Sequence, residues 1–433
     1  MTFAAKRRLD YLLGEPLCGL LNAWVRLFGF LLRRDHHLSP NFRRLWVLKF
    51  VGLGSLLNAR PLLRALRQTY PDAELTLITF PGTRFVGDRL PQFDRVVVAR
   101  DDTLGKLAWD CLRLVLRAWR ERPELTVDLE VHSRFSTLVS VLTMARNRAG
   151  FFHSTAMFRE GMYTHLMYFN RFQHVVDCYQ QLGRALGCAA TPASLATETE
   201  LLRAEDYREA EGYLARLPAG DSIRLIAVNP NASPLCPERK WPAVSFSRFI
   251  DALLQLGDWR VVLVGAPAER AVNEAVLRGA EPPHRNRVHN AAGELSLGGT
   301  LALLTQARLL VTTDSGLLHF AAALGVDTVS LWGPGWPGSY APKGDRHRAV
   351  REAVYCSPCL YMADEPPCAG DNQCMKRLPV AKVLAAAAEL LGIEVSRLPS
   401  VEEPSLRTGY LPGYVARRSV PTRPAGPIGG QSR

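Results

Sequence analysis

Residues Val311-Thr312-Thr313-Asp314-Ser315-Gly316-Leu317-Leu318-His319 join an apolar, β-branched run to a polar turn and the start of a small-residue helix closing at Gly325. Asp314 stands where a helix N-cap belongs, and Gly316 lets a ligand approach the first turn. Free N–H groups and the positive end of a helix dipole suit an anion such as a pyrophosphate. Asp314 is poorly placed to hold phosphate, yet it can accept hydrogen bonds from a sugar. Together these features suggest a nucleotide-sugar site. The competing reading is an ordinary capped helix after a buried strand.

Three further turns carry chemistry-bearing residues. Val228-Asn229-Pro230-Asn231-Ala232 ends a strand in a polar loop, and Glu238-Arg239-Lys240-Trp241-Pro242 follows. Arg239 and Lys240 can neutralise diphosphate charge there, although charges before a helix are also common on surfaces. Val264-Gly265-Ala266-Pro267-Ala268-Glu269 is a strand-to-helix turn suited to contact a nucleoside. Phe50-Val51-Gly52-Leu53-Gly54-Ser55-Leu56-Leu57 gives only G-x-G-x-x-L, so no third glycine completes a dinucleotide fingerprint. Gly54 directly precedes Ser55, which therefore does not form a G-x-S-x-G elbow.

Nine cysteines are present, and Cys356, Cys359, Cys368 and Cys374 follow the main motif closely. C-x2-C with two later thiols is compatible with tetrahedral zinc, while the wide spacing of the later pair fits knuckle geometry poorly. Reduced, packed thiols are the alternative. Residues 159–174 mix aromatic and polar groups. Asn170 and His174 can line an acceptor groove there, whereas a helix interface built on Tyr and Met is the other reading.

These turns need strands and helices to position them, and the hydrophobic pattern supplies both twice over. Leu45 to Val51, Leu75 to Phe80, Arg95 to Ala99 and Thr126 to Val131 read as strands alternating with helices. The pattern restarts with Ile223 to Val228, Trp259 to Val264, Arg287 to Asn290, Leu309 to Thr312 and Thr328 to Trp332. Alternation of this kind implies an α/β fold with two doubly wound parallel sheets facing a central cleft. The expected boundaries are an N-terminal amphipathic segment (1–40), a first domain (41–190), a linker (191–221), a second domain (222–395) and a disordered basic tail (396–433).

The net charge of +12 concentrates at the ends, with +5 in residues 1–44 and +4 in residues 396–433. A nucleic-acid enzyme more often carries its basic excess on the folded body, so no nucleic-acid partner is expected. Basic ends point to an anionic surface such as the cytoplasmic face of a membrane. Leu17, Leu20, Leu21, Trp24, Leu27, Phe28 and Leu31 share one helix face, flanked by Lys6-Arg7-Arg8 and Arg33-Arg34. Polar interruptions disfavour a spanning helix and favour one lying in the interface. Docking on the protein's own core is the alternative. A protein peripheral on the cytoplasmic face of a membrane is expected.

The order of these motifs resembles the heptosyltransferase family of bacterial glycosyltransferases, over roughly residues 45–395. The resemblance rests on Gly52-Leu53-Gly54 with Pro61 and Leu66, on Pro230-Asn231-Ala232 with Lys240-Trp241-Pro242, and on Gly265 with Glu269. Its most specific part is Asp314-Ser315-Gly316 with His319, Gly325 and Gly333-Pro334. It implies a GT-B fold of two Rossmann-like domains, inversion at the anomeric carbon, and no required cofactor. By position, Asp314 binds the donor sugar, Ser315 and Gly316 the diphosphate, and Arg239 or Lys240 its charge, with Asn231, Gly265, Glu269 and His319 completing the donor site. Gly54, Asn170 and His174 fall to the acceptor side. The implied partners are a nucleotide-diphosphate sugar, with heptose favoured, and a lipid-linked or lipopolysaccharide-type glycan.

One departure stands out. The best-known members carry Gly-Asp in the first turn, with that aspartate as the proposed base, whereas here the position is Ser55. A hydroxyl does not accept a proton unaided at neutral pH. In Val127-Asp128-Leu129-Glu130-Val131-His132, a strand places Asp128, Glu130 and His132 on one face. Glu130 is the expected replacement base, with His132 second and Asp128 structural; polar residues capping the next helix are the alternative. An inactive nucleotide-sugar-binding scaffold, or an epimerase or hydrolase on the same fold, are the other functional readings.

Overall fold

The computed structural model describes residues 9–404 apart from 33–34, 40, 190–198, 219–223, 234–235, 361, 363–366 and 369. Strands β1 (Arg44–Leu48), β2 (Glu74–Thr79), β3 (Arg95–Val98), β4 (Leu125–Asp128), β5 (Asn147–Phe152) and β6 (His165–Tyr168) form one sheet. Strands β7 (Arg224–Asn229), β8 (Trp259–Leu263), β9 (Val288–Asn290), β10 (Ala307–Thr313), β11 (Thr328–Trp332) and β12 (His347–Arg351) form the other. Every pairing is parallel. Leu45, Trp46, Val47 and Leu48 of β1 and Leu309, Leu310 and Val311 of β10 are all buried. Burial on both faces explains why these strands read as unbroken apolar runs.

The spatial orders are β3-β2-β1-β4-β5-β6 and β12-β11-β10-β7-β8-β9. Counted from its own first strand, each sheet has the same doubly wound order, 3-2-1-4-5-6. Strand order reverses between β1 and β4, and again between β7 and β10. Those reversals open a crevice at the carboxyl ends, where ligands bind in this fold class. Two such domains are the GT-B architecture expected above.

The helices that frame these crevices are α1 (Gly14–Leu32), α2 (Leu53–Asn58), α3 (Leu104–Glu121), α4 (Arg134–Leu142), α5 (Val175–Ala185), α6 (Ala204–Leu214), α7 (Leu297–Gln306), α8 (Gly316–Ala323) and α9 (Val380–Leu391). Across the two sheets α2 packs on α8, and Phe85, in the short helix Pro81–Gly87, meets Phe320 of α8 edge to face at 6.0 Å. A Cβ on Gly54 would stand 2.2 Å from the His319 ring, so only glycine permits this approach. His174 caps α5, accepting from Val176 N–H at 3.3 Å, and its Nε2 lies 3.0 Å from the Ala341 carbonyl. Ser339 donates to the Arg171 carbonyl at 2.6 Å, and Lys343 pairs with Asp177 at 2.9 Å.

Several expectations change. Strand β4 ends at Asp128, so Glu130 and His132 lie in the following loop and do not share a strand face with it. Residues 165–168, expected in a groove, pair as edge strand β6, and Met162 and Tyr163 are buried against α1. Backbone pairing with β5 fixes residues 165–168 at the sheet edge, where the ladder satisfies their amides. Helix α6 of the expected linker packs against α7. The tail does not begin at residue 396: Glu403 accepts from Val380 N–H (2.9 Å) and Ala381 N–H (3.1 Å), capping α9. Residues 405–433 lie outside the described residues, as do Lys6-Arg7-Arg8 and Arg33-Arg34.

Helix α1 docks through Cys18, Leu21 and Val25 on Val141, Met162 and Tyr163. Its other side leaves Leu17, Leu20, Trp24, Leu27, Phe28 and Leu31 exposed. Docking on the protein's own core therefore holds for one face, and the other is left open to solvent. Among the described residues no helix is long and apolar enough to cross a membrane.

Candidate active site at the two strand-order reversals

The crevice of the first sheet is centred on Glu130. Its Oε1 accepts from the N–H groups of Phe50 (2.8 Å) and Val51 (2.9 Å), and its Oε2 pairs with buried Lys49 Nζ at 3.1 Å. Glu130 thus bridges the ends of β1 and β4 at the reversal itself. Its own backbone is clamped: the N–H donates to Asp128 Oδ1 (2.9 Å) and the carbonyl accepts from Arg159 Nη1 (2.6 Å). Beneath it, Asp128 Oδ2 accepts from Arg159 (3.1 Å), Tyr163 (2.5 Å) and Ser136 (2.8 Å). Asp128 and Arg159 are fully buried. Burial pushes the Asp128 carboxyl upward while Arg159 pulls it down. Both carboxylate oxygens of Asp128 and both terminal nitrogens of Arg159 find partners, which offsets the desolvation of the buried pair, while Arg159 Nε has none among the described residues.

His132 stands beside this group, its ring 5.8 Å from that of His153. Burial, then the neighbouring His153 and Arg159, push its pKa down to about 4, which keeps the imidazole neutral at pH 7. The Ser55 hydroxyl donates to the Gly52 carbonyl at 2.9 Å, a local turn contact.

In the second sheet the reversal is lined by hydroxyls and amides. Asn229 Nδ2 donates to Thr312 Oγ1 (3.0 Å) and Ser315 Oγ (3.2 Å), and Thr313 donates to the Asn231 carbonyl (2.6 Å). Asn231 Nδ2 reaches Asn229 Oδ1 (3.1 Å), the Val264 carbonyl (3.2 Å) and Asn273 Oδ1 (3.0 Å). A Cβ on Gly265 would lie 2.7 Å from that nitrogen, which explains glycine there.

Helix α8 opens at this point with Ser315 at its N-cap and no side chain capping its first turn. Asp314, expected as the cap, instead pairs with Arg239: Nε lies 3.1 Å from Oδ2, and Nη1 donates to the Asp314 carbonyl at 3.3 Å. A buried carboxylate gains more from a cation than from amides it would have to share with a ligand. Burial still pushes the Asp314 carboxyl above its ordinary range, against the pull of Arg239. His319, on the same helix, is buried; burial first, then His174, Arg239 and Arg60, lowers its pKa to about 3.

Other expected residues disperse. Glu269 accepts from Ala266 N–H at 2.7 Å, capping its own turn, and Lys240 is exposed. Asn170 accepts from Phe172 N–H at 3.0 Å within a turn, and the two nitrogens of His174 are engaged as described, one capping α5 and one at the Ala341 carbonyl. Burial pushes Cys359 up to about 11 and Cys374 up to about 12, the behaviour of packed thiols. Among the described residues no three His, Cys, Asp or Glu side chains are grouped to hold a metal, so the zinc expectation at Cys356, Cys359, Cys368 and Cys374 is set aside.

Lys49, Arg159 and Thr312 were missed by residue pattern. Lys49 carried a signal, a lysine closing the apolar run Leu45-Trp46-Val47-Leu48. Arg159 carried none, since its partners lie 29 and 31 residues away.

Residues 127–369 match glycosyltransferase family 9, the heptosyltransferases. Lipopolysaccharide heptosyltransferase 2 of Escherichia coli is 30% identical over 115 residues, covering 27% of this chain and 33% of that protein. The match thus spans about a third of that relative. Among solved structures, the family 9 glycosyl transferase of Veillonella parvula superposes with TM-score 0.66 at 22% identity, covering 82% of this chain and 99% of its own. The E. coli ADP-heptose LPS heptosyltransferase II gives TM-score 0.61 at 19% identity, with coverages of 80% and 98%. At those identities the likeness is one of fold.

Proposed function

Because this chain belongs to glycosyltransferase family 9, the heptosyltransferases, we propose that it transfers a heptose from ADP-heptose, with inversion, onto a lipopolysaccharide core or another lipid-linked glycan. The observation that carries this reading is the uncapped start of α8, framed by Asn229, Ser315 and the Arg239–Asp314 pair. Amides at a helix start hold a diphosphate, and the adjacent guanidinium offsets its charge. The likeness to the E. coli ADP-heptose LPS heptosyltransferase II supports the same donor and acceptor class.

In this reading the acceptor hydroxyl attacks the anomeric carbon from the face opposite the diphosphate. The new C–O bond forms as the bond to the β-phosphate oxygen breaks, and ADP leaves with that electron pair. The hydroxyl proton passes to Glu130, at the Oε2 that faces Lys49. Lys49 and the two amides hold the carboxylate in place for the transfer. His132, kept neutral with its pKa near 4, is the weaker candidate. Charge building on ADP is met by fixed dipoles that need no reorganisation. The exposed side of α1 lies on the cytoplasmic surface of the membrane that holds the acceptor.

Calorimetric titration with ADP-heptose, ADP and a UDP-sugar tests the donor site, and NMR of the product tests inversion. Binding of the adenine ligands and an inverted anomer are expected. Absence of binding by every ADP ligand removes the reading.

A further inference from the structure

Helix α3 is apolar on the side away from the protein. Trp109, Leu112, Leu116 and Trp119 are 57%, 49%, 52% and 50% exposed, whereas Asp110, Leu114 and Ala118 are buried. Spacings of three, four and three residues put the exposed four in one stripe, and at about 100° per residue that stripe lies opposite the buried side. A helix covering a soluble sheet normally shows charge there. The inner side gives no reason for the outer one: Asp110 is satisfied by Arg100, through Nε at 2.8 Å and Nη2 at 2.9 Å.

Helix α4 links this stripe to α1. The β3→β4 and β4→β5 connections cross the sheet in one direction, so right-handed crossovers set α3 and α4 on the same face. Helix α3 touches the end of α4, where Trp119 Nε1 donates to the Leu142 carbonyl at 2.9 Å. Helix α1 packs on α4 as well, and Asp10 just before it accepts from Arg134 N–H (3.1 Å) and Phe135 N–H (2.7 Å) at the start of α4. That start directly follows the Glu130 loop.

We propose that α1 and α3 together form one lipid-facing platform, and that the first domain rests on an anionic bilayer through both helices. Charge selects this occupant. Arg113 and Arg120 flank the α3 stripe and are exposed, and basic runs bracket α1 in the sequence. Tryptophan beside arginine suits the boundary between acyl chains and anionic headgroups. A second copy on a twofold axis would set these arginines against themselves. The platform also brings a lipid-linked acceptor to the crevice without leaving the membrane.

The proposal extends the reading of α1 as an interfacial helix, and the test separates the two. Full-length protein is floated with vesicles of phosphatidylethanolamine and phosphatidylglycerol, and with phosphatidylcholine alone. Three variants are compared with it: Trp109→Gln/Leu112→Gln/Leu116→Gln on α3, Arg113→Glu/Arg120→Glu beside it, and Leu20→Gln/Trp24→Gln/Leu27→Gln on α1. All change exposed side chains, and circular dichroism checks their fold. Each variant is expected to weaken binding to the anionic vesicles by about tenfold or more. If both α3 variants bind like the parent while the α1 variant does not, the platform is wrong and α1 alone anchors. If none differs, or no vesicle binds, both readings fall. A dimer in sedimentation that the α3 glutamine variant abolishes, without an effect on vesicles, assigns the stripe to a second copy and overturns the proposal.

Discussion

The two crevices occupy the same topological place in twin sheets, and each sets a carboxylate at the reversal beside a cation, yet they are wired oppositely. In the first, Glu130 takes the amides of Phe50 and Val51, the very N–H groups a glycine turn would offer to phosphate. In the second, Asp314 turns to Arg239 and leaves the start of α8 without a side-chain cap. One crevice engages its turn amides with an internal carboxylate, while the other leaves its helix start without a side-chain cap. A shared fold therefore does not imply a shared ligand, and the residues at the reversal decide the chemistry.

Substitutions can break this contrast. Glu130→Gln keeps the shape but removes the proton acceptor, so kcat is expected to fall by about 10²–10⁴ with donor affinity unchanged in calorimetry. An equal loss of donor binding would mean the crevices are not separate in role. Arg159→Met strands buried Asp128 and frees the carbonyl of Glu130. A stability loss of about 3–5 kcal/mol in urea unfolding is expected.

Asp314→Asn, by contrast, is expected to act on the donor, weakening ADP-heptose binding about tenfold to a hundredfold as the Arg239 contact loosens. A change confined to kcat would shift Asp314 from binding to chemistry. The smallest effect concerns pH. Burial holds His132 near 4 and His319 near 3, below their ordinary 6.5, so the unfolded chain binds protons that the folded chain refuses. Stability should be constant above about pH 7 and fall as pH drops below about 6.5 toward those values. Scanning calorimetry at pH 7.5 and 5 should show a lower Tm at pH 5, with a smaller drop in His319→Asn.

Much of the architecture was legible because buried parallel strands must be apolar throughout and turns must be polar. The runs through Leu45–Leu48 and Leu309–Val311 signalled this directly. Strands β6 and β12 were not legible. They are edge strands with mixed residues, His165–Tyr168 and His347–Arg351, whose pairing depends on a neighbour distant in sequence. Glu130 could be singled out as a carboxylate following a strand, and Asp314 as one preceding a helix. Their pairing with Lys49 and Arg239 could not, since those residues lie 81 and 75 positions away along the chain.

By itself the sequence determined two α/β halves, the positions of their turns, and an amphipathic first helix, all of which follow from local periodicity. Tertiary structure decided what each carboxylate binds, that Asp314 is no cap, that His174 joins the halves, and that α3 turns an apolar stripe outward. Those outcomes depend on which groups burial brings together, and burial is a property of the packed molecule that no short window of residues contains.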